Sequence, residues 1–432
     1  MKKRPVVSWM LYDWGNSAFA TTMMAAVLPI FYQNVATVGV DDAVATSYWG
    51  YSQSIAVLIV ALLAPILGAI SDYSASKKQF LRFFAYMGIL ASVLMAFVQE
   101  GQFIFASLLL IIGTIGFSGG NVFYDAFLPE VAKGKDLDRV STGGFAFGYI
   151  GGGVLLAINL GMIMAPQAFF LPDTLTATRA AFISVGLWWF IFSIPLFRNI
   201  REEKRVQDNV EKKAYVRIGF TRVSSTFKEL RQYKQLLIFL LAFWLYNDGI
   251  STIIKMATIY GAEIGIGTND LIMALVITQF VGIPCTFLFG WLATKMTAKR
   301  ALTIALYVYI GIVALGYFMT TSLHFYILAT CVGLVQGGAQ ALSRSIFGRM
   351  VPDDRHAEFF GFYGISSKFA AIFGPFLFGF VGQLTGSSRY GIVSLLVFFI
   401  IGVLLLQKVD VDKGQKQAQE ATVTKDTVTV HT

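Results

Sequence analysis

Twelve long apolar runs limit what this chain can fold into. A helix needs about 20 mostly apolar residues to cross a bilayer, where lipid offers no partner for unpaired backbone groups. The candidate spans are 6–33, 46–71, 79–98, 103–127, 141–166, 179–197, 236–261, 268–294, 301–320, 324–350, 358–383 and 388–407. Charged residues make up only 14% of the chain, against about 25% in soluble domains. The sequence therefore predicts an all-α polytopic membrane protein and argues strongly against a soluble enzyme.

Basic residues concentrate in every second connection between these spans. Eleven Lys and Arg lie in 198–235, and the opposite set of connections holds only Arg179 and Arg389. The other basic residues of the first set are Lys2, Lys3, Arg4, Lys77, Lys78, Arg82, Lys133, Lys135, Arg139, Lys295, Lys299, Arg300 and Arg355. Because cytoplasmic loops are rich in Lys and Arg, we expect both termini in the cytoplasm and the chain in a bacterial inner membrane.

Two polar segments divide the chain. Residues 198–235 form a linker between six-span halves at 1–197 and 236–407, and the polar tail at 408–432 is predicted to be disordered. Apolar residues recur in the linker at the spacing of an amphipathic helix. They are Val216, Phe220, Val223, Phe227 and Leu230. We expect this helix to lie on the headgroups, with partner docking as the alternative.

The two halves resemble each other in sequence. "GAISDYSASKK", Gly68 to Lys78, aligns with "GWLATKMTAKR", Gly290 to Arg300. "LYDWGNSA" aligns with "LYNDGIST", and "FYDAFLPE" faces "SIFGRMVPD". These three matches occur in the same order in both halves. They indicate two parallel six-helix repeats, an architecture of secondary transporters that hold their substrate between the repeats.

The first of these motifs resembles the loop motif of the major facilitator superfamily: a glycine, an aspartate four residues on, then a basic pair. Tyr73, Ala75 and Thr294 depart from that motif. "LYDWGNSAFATTMMAAVLPIFY", "GGNVFYDAFLPEVA" and the stretch from Gly333 to Pro375 resemble the vacuole-effluxer-like permeases, also called the unknown-major-facilitator family. The resemblance implies a secondary transporter that is a monomer. Fungal members of that family are associated with amino-acid export from the vacuole.

Polar and ionisable residues inside the spans are the candidate site. Each ionised side chain at a helix centre costs about 2.5–3.5 kcal/mol, so such residues should face a cavity or each other. By the resemblance, spans one, four, seven and ten line the cavity and spans two, five, eight and eleven flank it. The predicted substrate- or proton-binding residues are Asp13, Asn16, Tyr124, Asn247, Asp248, Lys255, Gln336, Arg344 and Lys368.

A cavity that carries both signs of charge suits a small zwitterionic or amino-acid-like solute. Arginine or lysine binds a carboxylate, and an aspartate binds an ammonium group. We predict that Asp13 carries a coupling proton. The alternative is that these charges only pair across helices.

Loop residues of the repeated motif are predicted to act in gating, because glycine permits close helix approach and charges interact with helix ends. They are Gly68, Asp72, Lys77, Lys78, Gly290, Lys299 and Arg300. For Lys77 and Lys78, plain anchoring by the positive-inside rule is the alternative.

Known phosphate-binding and hydrolase motifs are absent from the sequence. Both cysteines, Cys285 and Cys331, fall inside spans, and the three histidines show no metal-ligand spacing. We therefore expect no enzyme activity, no cofactor, no metal and no nucleic-acid partner. The leading hypothesis is an ion- or proton-coupled transporter of a small polar solute. A lipid or amphiphile carrier of the same fold and a non-transporting receptor or scaffold are the alternatives.

Overall fold

A computed structural model describes residues 3–40, 42–134, 136–202 and 233–430, and these residues contain helices and no strands. Some side chains within helices are outside the description, including those at 367–372 and 421–430. The predicted amphipathic helix at 216–230 and the side chain of Lys368 therefore lie outside the described part of the chain.

Twelve helices correspond to the twelve predicted spans. The first, α1, runs from Lys3–Ala18 through π-helical turns at Phe19–Ala26 and Tyr32–Ala36, which enclose a short α-helical stretch, Val27–Phe31. The others are α2 (Asp42–Ser74), α3 (Lys77–Met95), α4 (Phe103–Ala126), α5 (Asp136–Met164), α6 (Thr174–Asn199), α7 (Lys234–Glu263), α8 (Thr268–Met296), α9 (Ala298–Gly316), α10 (Ser322–Arg349), α11 (His356–Thr385) and α12 (Ser388–Ser394 with Leu396–Gln407). Within the described residues, ten of these helices are long and apolar enough to cross a membrane; α3 and α11 complete the set.

Helix packing repeats between the halves. In the first half α1 packs against α5 and α6, α4 against α2 and α3, and α3 against α6. The same pairs recur six helices later: α7 with α11 and α12, α10 with α8 and α9, and α9 with α12. The halves meet along two seams: α11 contacts α2 and α4, and α5 contacts α8 and α10. The predicted fold, two pseudo-symmetric six-helix bundles, is confirmed.

The bundle has two faces that differ in their connections. We call the end where α1 begins and α12 ends the terminus face. It also carries the α2–α3, α4–α5, α8–α9 and α10–α11 connections. The opposite face carries the remaining connections between neighbouring helices of each half.

The tail differs from the expected disorder, because a further helix, α13 (Val411–Val430), follows α12. The backbone N–H of Asp410 donates to Gln235 Oε1 at 2.8 Å. Ala418 is buried, and a methyl group added to Gly414 would lie 2.6 Å from Met350 Sδ. These two small residues lie one turn apart, so a narrow face packs although the segment as a whole is polar. Composition alone could not indicate that face.

Candidate functional site

Arg344 of α10 connects the two halves. Its Nη1 donates to Asp125 Oδ1 of α4 at 2.9 Å. Its Nε donates to Ser141 Oγ of α5 at 3.0 Å, and its Nη2 donates to the Ser141 carbonyl oxygen at 2.8 Å. Arg344 is only 3% exposed. A buried cation of the second half is thus neutralised and hydrogen-bonded entirely by these partners in the first half.

Aromatic rings of the first half hold the guanidinium group in place. The Cζ atom of Arg344 lies 4.3 Å from the ring centroid of Phe145, 4.8 Å from that of Trp9 and 5.6 Å from that of Tyr124. The rings of Trp9 and Tyr124 stack with centroids 4.3 Å apart, and Trp9 Nε1 donates to the Tyr124 carbonyl oxygen at 2.9 Å. Cation–π contacts of this kind favour a fixed guanidinium position even without a carboxylate partner.

Asp13 of α1 lies beside these residues, and hydroxyl groups donate hydrogen bonds to its carboxylate. Tyr124 donates to Asp13 Oδ2 at 3.3 Å, and Ser17 donates to Asp13 Oδ1 at 3.2 Å. Asp13 is half-buried. One turn further on, Asn16 is buried and donates to Asn121 Oδ1 at 2.7 Å. We call Asp13, Tyr124, Asp125, Ser141 and Arg344 the Arg344 network.

Asp248 belongs to a separate group. Its Oδ1 accepts the backbone N–H of Gly374 of α11 at 2.9 Å, and its carbonyl oxygen accepts Thr252 Oγ1 at 2.7 Å. These partners belong to the second half. Asn247 is buried and Lys255 is exposed on the same helix.

The structure therefore divides the predicted site residues. It brings Asp13, Tyr124 and Arg344 together and places Asn16 next to them. Asp248 is bound within the second half, on the same helix as Asn247 and Lys255, and Gln336 is half-buried on α10.

The partners of Arg344 and its neighbour Arg349 were not predicted from the sequence. Asp138 of α5 pairs with Arg349 and accepts Ser345 Oγ at 2.7 Å. Asp125 and Asp138 lie near the ends of their helices, where acids are ordinarily solvated. One feature of the sequence could have indicated these ion pairs: α4 and α5 each carry an acid near one end, and α10 carries two arginines five residues apart.

The loop motif of the first half also joins the halves. Asp72 Oδ1 and Oδ2 accept the backbone N–H groups of Ala357 and Glu358, at 3.2 and 2.8 Å, in the first turn of α11. A carboxylate there is favoured by the helix dipole. Lys77 pairs with Asp72 at 3.2 Å and with Glu130.

The predicted gating residues differ in whether they contact the opposite half. A methyl group at Gly68 would lie 2.8 Å from the Cα of Glu358, and one at Gly290 would lie 3.1 Å from Thr142 Cβ of α5, so both glycines lie at the seams. Lys78 and Lys299 instead donate to carbonyl oxygens in their own halves, those of Ile200 and Gln407, both at 2.8 Å. Arg300 is exposed.

Glu202, where the linker begins, caps α3. Its carboxylate accepts the backbone N–H groups of Lys77 and Lys78 at 2.7 and 3.3 Å. Burial outweighs these hydrogen bonds and raises the pKa of Glu202 above its ordinary value. This cap joins the linker to α3 of the first half and does not cross a seam.

The polar contacts across the seams described above lie near the terminus face. Arg344 and Arg349 are in the last two turns of α10, and Asp72 contacts the first turn of α11. The halves are therefore fastened together at this face. Such an arrangement can serve as a barrier on one side of the membrane.

The fold of two six-helix bundles is that of the major facilitator type. The chain belongs to the family described as "Vacuole effluxer Atg22 like", whose model matches residues 1–419. It is 40% identical over 417 residues to a Bacillus subtilis (strain 168) protein, the "Uncharacterized MFS-type transporter YxiO", and this match covers 95% of this chain and 96% of the relative. It is 25% identical over 495 residues to Autophagy-related protein 22 of Saccharomyces cerevisiae (strain S288c), with coverages of 96% and 93%.

Solved structures show the same fold. A variant of the Escherichia coli fucose:proton symporter FucP superposes with a TM-score of 0.72 at 11% identity, covering 95% of this chain and 99% of FucP. The human organic anion transporter MFSD10 superposes with a TM-score of 0.71 at 13% identity, covering 94% and 99%.

Proposed function

We propose that this protein moves a small polar solute across the membrane by alternating access, and that the Arg344 network closes the terminus face. The observation that supports this most strongly is the position of Arg344, whose hydrogen-bond partners all lie across the seam. Alternating access requires contacts between the halves that can break and re-form. A buried ion pair between α10 and α4 meets that requirement.

The proposed solute is zwitterionic or amino-acid-like. The planar guanidinium of Arg344 is suited to bind a carboxylate through two parallel hydrogen bonds. A solute carboxylate that replaces Asp125 at Arg344 would release α4 from α10, while the solute ammonium group binds the half-buried carboxylate of Asp13. Binding and opening of the terminus face are then coupled, because the solute competes for the contact that keeps the halves together.

Asp13 is the proposed proton carrier, with Asn16 and Tyr124 as its neighbours in the site. A carboxylate with two hydroxyl donors can take up a proton in place of a solute ammonium group. FucP is described as a proton symporter, which makes proton coupling a reasonable first test. The charge distribution of the loops supports cytoplasmic termini, so the terminus face would be the cytoplasmic barrier.

Thermal stabilisation of the purified protein by neutral, acidic and basic L-amino acids is the first test. Members that stabilise it are then assayed for uptake into proteoliposomes with and without a pH gradient. We expect Arg344→Gln to abolish uptake, and Asp13→Asn to remove accumulation driven by the pH gradient. The matched control is Arg389→Gln, because Arg389 contacts the Tyr317 carbonyl oxygen at the opposite face. Absence of both stabilisation and uptake for the whole panel would contradict the proposed solute class.

A further inference from the structure

We propose that Asp248 is a positioning residue that fastens α7 to α11 beside Pro375, and that this contact keeps the second half together during transport. This inference rests on the proposed alternating access. It assigns Asp248 a role in holding one half together, in place of contact with the solute.

The contact between Asp248 and α11 is buried and specific. Asp248 is 1% exposed, and its Oδ1 accepts the N–H of Gly374 at 2.9 Å. Side-chain acceptors rarely reach a backbone N–H in the middle of a helix, because that group normally donates to the carbonyl four residues earlier. An acceptor from a neighbouring helix at this position indicates a site where the helix is held from outside.

The next residue, Pro375, explains why α11 needs such support. Proline has no N–H, and its ring clashes with the carbonyl group four residues earlier, so it weakens or bends a helix at that point. Gly374 allows α7 to approach the weakened turn. A methyl group added there would lie 2.8 Å from Asp248 Oδ1 and 3.0 Å from Thr252 Cβ.

The first turns of α11 contact both halves. Asp72 of the first half holds the first turn, and a methyl group at Gly361 would lie 2.8 Å from Pro65 Cα of α2. In the second half, Tyr363 stacks on Phe243 of α7 with ring centroids 4.3 Å apart. When the terminus face opens, α11 must leave α2 while it stays with α7. A clamp at Gly374 holds α11 to α7 at the turn that proline weakens.

The clamp requires an acceptor oxygen at residue 248 but no charge. Asparagine provides that oxygen and leucine does not, so the pair Asp248→Asn and Asp248→Leu separates the clamp from a role as an ionised ligand. Gly374→Ala removes the same contact from the other side, because its methyl group occupies the space of the carboxylate and of Thr252.

The experiment measures the melting temperature of the full-length purified protein and its uptake of the L-amino-acid panel. We expect Asp248→Leu and Gly374→Ala each to lower the melting temperature by several degrees. The double variant should fall by much less than the sum, because both changes remove one shared contact. Asp248→Asn should restore the melting temperature, and it should restore the maximal uptake rate that Asp248→Leu loses, with an unchanged KM for the solute.

Three outcomes would overturn the clamp: additive losses in the double variant, a melting temperature of Asp248→Asn as low as that of Asp248→Leu, or a large rise in KM with Asp248→Asn. The last would make Asp248 a solute ligand. If the melting temperatures follow the expected pattern while no panel member is transported under any condition, the clamp stands and the proposed function falls.

Discussion

Arg344 and Asp248 are both buried ionisable residues within apolar spans, yet their partners lie on different sides of the seam. Arg344 is bound by Asp125 and Ser141 of the other half, whereas Asp248 is bound by Gly374 of its own half. Two buried ionisable residues therefore have different consequences. A contact that crosses the seam can be exchanged during transport, and a contact inside one half keeps that half rigid.

The largest effect is expected from Arg344→Met. Removal of one partner of a buried ion pair costs about 3–5 kcal/mol, and here the loss falls on the closed terminus face. Gly348→Cys serves as the reporter, because a Cβ at this position lies 3.4 Å from Pro129 Cγ across the seam. In a background without Cys285 and Cys331, we expect Arg344→Met to increase the labelling rate of the reporter by a membrane-impermeant maleimide.

Asp248→Leu is the matched control for that experiment, since it also removes a buried charge but within one half. It should lower stability and leave the labelling rate of the reporter close to that of the unsubstituted protein. Equal labelling of the two variants would remove the distinction between a contact at the seam and a contact within a half.

A smaller effect is expected from Gly361→Ala on α11. The added methyl group would lie 2.8 Å from the carbonyl carbon of Ala64 and the Cα of Pro65. Overpacking of this kind costs about 1–3 kcal/mol. Because the contact exists only while α2 and α11 touch, the cost should shift the population toward an open terminus face. The labelling rate of the reporter measures that shift.

Gly379→Ala is the control on the same helix, because nothing lies within 4 Å of a Cβ at that position. It should leave the labelling rate unchanged. A comparable response to both glycine substitutions would show that helix propensity, and not the approach of α2, is responsible.

The smallest effect is expected from Glu202→Gln, which changes the cap between the linker and α3. Burial raises the pKa of Glu202, so the folded protein holds this proton more tightly than the unfolded chain does. Acidification from neutral pH through the raised pKa should therefore favour the folded state, and the gain is lost again as the pH rises. On acidification, the melting temperature of the unsubstituted protein should rise relative to that of Glu202→Gln. The rise should be modest because Glu202 is partly solvated. If the melting temperature of the unsubstituted protein instead falls relative to that of Glu202→Gln on acidification, this prediction is wrong.

Periodic properties of the chain allowed the fold to be predicted from sequence. Apolar length defined the spans, and the repeated motifs around Gly68 and Gly290 indicated two halves. The site was predicted only in part, because charge within a span marks Arg344 but does not identify its partner. Asp125 lies at the end of α4, where an ionised acid usually has no desolvation cost, so its position in the sequence does not mark it. Only the packing of the two halves brings it to Arg344. Asp248 looked like an equivalent of Asp13 until the structure placed it at Gly374 of its own half.

The most direct measurement is uptake by a protein whose terminus face is held closed by a disulfide. Pro129→Cys and Gly348→Cys, in the background without Cys285 and Cys331, join α10 to the segment that follows α4 (Leu128–Val131). We expect oxidation to abolish uptake of the panel solute into proteoliposomes and reduction to restore it, while each single cysteine variant transports under both conditions. Full uptake by the completely cross-linked protein would contradict the claim that the halves must separate at the terminus face.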